Sequence, residues 1–169
     1  SQINTASVRI ELSANGGAYS NVRTQSSPAA NTAESLGTLV VGTPYTARLT
    51  PSSATGYVGT PSLVSLTTLP APALLGNAAA NVTETAADVL WASQINTASV
   101  RIELSANGGA YSNVRTQSSP AANTAESLGT LVVGTPYTAR LTPSSATGYV
   151  GTPSLVSLTT LPAPALLGN

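Results

Sequence analysis

The chain has no cysteine, histidine, methionine or phenylalanine, and all six of its basic residues are arginine. Without cysteine no disulfide staples the fold, and without lysine a Lys–Asn isopeptide cross-link is excluded, so stability falls to the core and the sheet hydrogen bonds. Lack of disulfides does not by itself assign a compartment. Charged residues make up 7% of the chain, against roughly 25% in an ordinary soluble domain. Arg9, Arg23 and Arg48 and their counterparts Arg101, Arg115 and Arg140 are balanced by six carboxylates, and the net charge is zero. That distribution forms no basic stripe, which argues against a nucleic-acid partner. No apolar run approaches the roughly 18–20 residues that cross a bilayer. No leader peptide is visible before Ser1, the pattern expected of a processed or excerpted piece.

What the sequence has instead is repetition. Residues 1–77 recur without substitution as 93–169, a period of 92 residues. A period of this length implies a row of domains, since each unit is long enough to close its own core. The connector 78–92, AAANVTETAADVLWA, occurs once and carries the single tryptophan, Trp91.

Helix signals are weak, and β-branched runs are cut by Gly, Pro and Asn at roughly 8–12-residue intervals, the rhythm of an all-β sandwich. In Ser7–Ser13, Val8, Ile10 and Leu12 alternate with Arg9 and Glu11, so the two charges are expected on the solvent face as a surface ion pair. Asn15-Gly16-Gly17 supplies a hairpin turn. Further strands are expected around Ala18–Thr24, Ala33–Leu39, Tyr45–Thr50 and Ser62–Leu69. Ala73–Val82 and Thr85–Ala92 are expected to add a first and second strand to the second copy.

Four motifs in order resemble the fibronectin type III family across 71–162. Asn81–Trp91 is similar to the family's first turn and its second-strand core tryptophan. Leu131-Val132-Val133-Gly134-Thr135-Pro136-Tyr137 resembles its L-x-P-G-T-x-Y corner, with Val133 where proline is usual. Gly148–Ser154 resembles the approach to the last strand, and Thr159-Thr160-Leu161-Pro162 its exit. The resemblance implies an Ig-like, all-β sandwich module. Its expected core residues are Trp91, Tyr45, Tyr137, Leu39 and Leu131, with the Leu131 and Tyr137 pair suiting a tyrosine corner.

The resulting layout is an incomplete module over 1–70 (strands C to G, lacking A and B), a complete module over 71–162, and the start of another first strand at 163–169. The preferred explanation is a window on a longer array, because one connector cannot complete two modules. The alternative is strand addition from a neighbouring subunit.

Chemistry has little foothold. Acid–base work would fall to Glu11, Glu34, Glu84 or Asp88, with neither His nor Cys to activate a serine. No spacing suits calcium or zinc, so no catalytic residue, metal site or cofactor is expected. Asn81-Val82-Thr83 is the only N-x-S/T sequon, making Asn81 the candidate for glycosylation. The Gly/Ser loops around Tyr57 and Tyr149 are the candidate contact surfaces. The function expected is a non-enzymatic structural repeat of an extracellular fibre, stalk or cell-surface array, with copies of itself as partners. The alternative is an adhesive or carbohydrate- or protein-binding accessory module, with glycans as a second class of partner.

Overall fold

The computed structural model describes residues 4–29 and 33–165. The chain is all-β among these residues and divides into two compact units, Ser1–Pro70 and Ala71–Asn169.

The first unit holds four strands: β1 (Ser7–Ala14), β2 (Ser20–Ser26), β3 (Pro44–Ser52) and β4 (Ser62–Thr67). They form one antiparallel sheet in the order β2-β1-β3-β4. The β1–β2 hairpin turns on Asn15 (φ 50°) and Gly16 (φ 72°), the positive-φ pair that a tight hairpin of this twist requires. A shift between Ile10 and Glu11 interrupts the β1–β2 register and bends the edge strand.

The second unit repeats this sheet and adds a second layer. Its strands are β5 (Ala73–Leu75), β6 (Ala78–Ala80), β7 (Asp88–Leu90), β8 (Ser93–Ile95), β9 (Ser99–Ala106), β10 (Ser112–Ser118), β11 (Glu126–Ser127), β12 (Pro136–Ser144) and β13 (Ser154–Thr159). The large sheet runs β10-β9-β12-β13; opposite it lie β11-β7-β6, with β5 paired to β8. The stretch expected as one first strand, Ala73–Val82, is thus two. Gly76 takes φ 66° between them, so β5 pairs with β8 while β6 crosses to β7. The second strand is shorter than expected, Asp88–Leu90. The strand expected at Ala33–Leu39 is absent, whereas its counterpart survives as β11 because β11 pairs with β7. An edge segment without a partner has no ladder to join. At the far end Ala163–Ala165 carry no strand, and the rest of the expected next-module start, 166–169, lies outside the described residues.

The two units bury the same sequence to different degrees. In the second, Leu74, Ala87, Val89 and Trp91 from the added layer pack with Val100, Ile102, Leu128, Leu131, Tyr137, Ala139, Leu141, Val156 and Leu158. In the first, the buried cluster is Leu12, Tyr45 and Ala47, with Val22, Leu36, Leu39 and Leu66 partly buried around it. Val64 is 47% exposed where its counterpart Val156 is 6% exposed. Substitution should report this difference. Val156→Ala is expected to cost the second unit about 2 kcal/mol by lost burial and a cavity. Val64→Ala should cost the first unit less than about 0.5 kcal/mol. Denaturant unfolding followed by unit-resolved NMR checks both, and equal costs would contradict the burial pattern.

Candidate interaction surfaces

Each expected core residue has a clear position. Trp91 is fully buried in the second unit, and its indole N–H has no acceptor among the described residues, so it acts by filling volume. Leu131 and Tyr137 are buried beside it, Tyr45 is buried in the first unit, and Leu39 is half-buried there. Both tyrosine hydroxyls accept a backbone N–H five residues upstream, from Val40 to Tyr45 at 3.0 Å and from Val132 to Tyr137 at 2.9 Å. This bond pins the chain where it crosses toward the next strand.

Asn81 is exposed, with φ 49° at the turn after β6. Its side-chain amide donates to Asp88 Oδ2 at 2.6 Å. The candidate acceptor nitrogen is therefore already engaged by a carboxylate.

Tyr57 and Tyr149 stand at loop tips, 77% and 48% exposed. Each loop is braced rather than loose. Ser53 N–H donates to the Tyr57 carbonyl at 2.9 Å, Tyr57 N–H donates to Ser53 Oγ at 3.1 Å, and Val58 bridges back to Ser52. The same bonds recur around Ser145 and Tyr149.

A charged cluster occupies the other face of each sheet, and here the sequence expectation needs correction. Glu11 is not a solvent-face partner of Arg9 alone. It is buried, and its carboxylate accepts from Arg48 Nε at 2.8 Å across the β1–β3 ladder, with Arg9 farther off at 3.3 Å. The register sets Glu11 directly opposite Arg48, the position where cross-strand pairs interact best. The Arg48 guanidinium in turn lies 4.2 Å from the centre of the Tyr19 ring, close enough for a cation–π contact. Glu103, Arg140, Arg101 and Tyr111 repeat the arrangement, and there Arg140 grips both carboxylate oxygens, at 2.8 and 2.9 Å. Arg23 pairs with Glu34, and Arg115 with Glu126. Every charged side chain of the first unit is thereby engaged within that unit.

The hydrogen bond from arginine holds the Glu11 and Glu103 carboxyls below the usual glutamate range, against an opposing push from burial. A carboxyl depressed by folding stabilises the native state above its unfolded pKa, about 4.3. That contribution is lost as pH falls through the lower folded value. Stability of each unit should therefore decline on acidification from about pH 5. Glu103→Gln should flatten that acid limb for the second unit only, with Glu11→Gln doing so for the first. Denaturation midpoints measured against pH decide it, and unchanged slopes in the variants would remove the carboxylates as the cause.

The third surface is apolar. A groove of about 410 Å³ opens on the first unit's sheet, floored by Val8, Ile10, Ala47, Leu49, Val64 and Leu66. In the second unit the counterparts of these residues lie under Trp91 and Val89. Sequence alone signalled this groove only through the absence of a second connector. The charged cluster had a weaker signal, since pairing Glu11 with Arg48 requires the register between strands far apart in sequence.

Among the described residues no group of three His, Cys, Asp or Glu side chains is placed to hold a metal ion. No helix among them is long and apolar enough to cross a membrane.

No protein-family model matches the sequence, and no curated protein sequence does. Solved structures do match. A two-domain fibronectin type III segment from chicken tenascin aligns over 94% of this chain and 86% of its own length, at 21% identity and a TM-score of 0.51. The FN1–FN3 domains of chicken CNTN1 align over 94% of this chain and 56% of theirs, at 15% identity and a TM-score of 0.46. With the tenascin likeness, the sandwich of the second unit and the matching sheet of the first show that this chain has the Ig-like, fibronectin type III β-sandwich fold.

Proposed function

We propose that the chain is a non-enzymatic structural module of a tandem array outside the cell or on its surface, where length and self-association carry the function. The observation behind this reading is the unsubstituted recurrence of 1–77 as 93–169. The surface chemistry supports it. Charge is sparse, the first unit's charges are consumed in internal pairs, and Ser and Thr supply hydration without a net field. Pro70-Ala71-Pro72 joins the units, a composition that stiffens a joint rather than leaving it a random coil.

The test is the mass of the source protein, measured denatured and native. The array reading expects a denatured mass well above 16.8 kDa, or native assemblies seen by sedimentation and electron microscopy as rods or fibres. A particle of 16.8 kDa in both states, at every concentration, would overturn it.

A second reading is favoured by one observation, the braced, outward-facing Tyr57 and Tyr149. Exposed aromatic residues on rigid loops suit contact with a sugar face or a protein. As an adhesive or accessory binding module, the chain should bind a glycan or matrix protein in a panel screen. The double variant Tyr57→Ala/Tyr149→Ala should lose that affinity by about tenfold or more, the usual cost of truncating an aromatic anchor. A panel that stays flat for the folded chain would eliminate this role.

A further inference from the structure

We propose that the free edge of β13 docks a second copy of this chain, the two β13 strands pairing antiparallel about Ser157 so that one sheet continues through both copies. The proposal rests on the self-association in the array reading and names the surface that carries it.

The pairing of β12 with β13 fixes which backbone groups of β13 point outward. Asn107 N–H donates to the Pro136 carbonyl at 2.9 Å, so Pro136 faces β9. Thr160 N–H donates to the Thr135 carbonyl at 3.2 Å, so Thr135 faces the β13 side. Bonded and non-bonded pairs alternate along an antiparallel ladder. By that alternation Ser154, Val156 and Leu158 bond to β12, while Leu155, Ser157 and Thr159 turn their N–H and C=O groups off the edge. No strand among the described residues pairs with that side.

The other strand edges of the second unit carry features that discourage pairing. β10 holds Arg115 and a register shift beside it. β5, β6, β8 and β11 run for only two or three residues. β13 has six residues, no charge, no proline and an unbroken register. An edge of that kind is a template for another strand.

Two observations make a second β13 the occupant. The edge is complementary to itself: a two-fold axis at Ser157 sets Ser157 opposite Ser157 and Leu155 opposite Thr159 in both directions. Three residue pairs then exchange two backbone bonds each, and a slip to either side leaves fewer. Side chains fit in the same register. Leu155 projects from the outer face, 62% exposed. Near the other end of the strand a cleft of about 320 Å³ opens, lined in part by Asn107, Pro136, Thr138, Ser157 and Thr159. Asn107, Pro136 and Thr159 form one row across the sheet. Leu155 of the second copy extends that row and brings its exposed side chain to the cleft. The identical strand β4 ends the first unit's sheet in the same way, so each chain has two such edges and pairing continues from copy to copy.

The experiment follows the full chain by sedimentation velocity over a concentration series, with amide exchange at low and high concentration as a second readout. The mass should rise above 16.8 kDa with concentration. Exchange should slow at Leu155, Ser157 and Thr159 and at their counterparts Leu63, Ser65 and Thr67, while Val156 and Leu158, bonded inward, stay unchanged. Ser65→Lys/Ser157→Lys sets like charges against each other at the two-fold, at positions exposed in the single chain. It should weaken association about tenfold or more and keep the parent's NMR spectrum. Mixing it with Ser65→Glu/Ser157→Glu should restore association, which a misfolded variant would not do. A chain that stays monomeric to its solubility limit overturns the proposal. So does association that survives the lysine variant or leaves the outward amides unprotected. Either result beside a source protein of large denatured mass refutes the edge alone, whereas a source protein of 16.8 kDa that never assembles refutes the array as well.

Discussion

A β-sheet with one apolar face is stable only when something covers that face, and the whole chain can be understood from how that demand is met or left open. In the second unit the cover is Ala71–Ala92, a stretch of alanines and threonines with few large side chains. It succeeds because Trp91 is fully buried between two layers whose usual spacing is about 10 Å, with Leu74 and Val89 buried in the same cluster. The alanines of β6 then allow close approach rather than adding bulk. In the first unit the same sheet lacks that partner, and Val64 and its neighbours meet water.

The opposite face is solved by different physics. Where no second layer is available, the chain places a buried carboxylate under two guanidinium groups and lays a tyrosine ring over one of them. A glutamate drawn into the sheet surface needs a partner for its charge, and in this arrangement Arg48 supplies one directly across the ladder. Its benefit is that the sheet's outer surface is closed without an apolar patch. It also pairs most of the few charges the sequence possesses, burying the Glu11 and Glu103 carboxylates while the arginines around them stay partly exposed.

Much of the fold was legible because period-two alternation, an Asn-Gly turn and proline boundaries are local signals. Ser7–Ala14 and Pro44–Ser52 are strands in both copies where the alternation says so. The misread elements are those whose structure depends on a remote partner. Glu126–Ser127 is a strand and its twin Glu34–Ser35 is not, though the sequences are identical. No local rule could separate them. Ala73–Val82 looks like one strand in sequence, and its break lies at Gly76, where φ is 66°. The burial of Glu11 was missed for a related reason: alternation assigns a face, but only the register identifies what waits on that face.

The two copies act as a matched pair in which sequence is constant and environment varies, which isolates the contribution of one short segment. Leu141 is fully buried and Leu49 only partly; Pro143 is fully buried and Pro51 is not; a strand exists at Glu126 and not at Glu34. These differences lie where Ala71–Ala92 packs, while the tyrosine corners and the cross-strand bond from arginine Nε to glutamate recur in both copies. The four-stranded sheet therefore keeps its hydrogen-bonded frame and its polar face without the second layer, and gives up side-chain burial and the backbone bonds made to that layer.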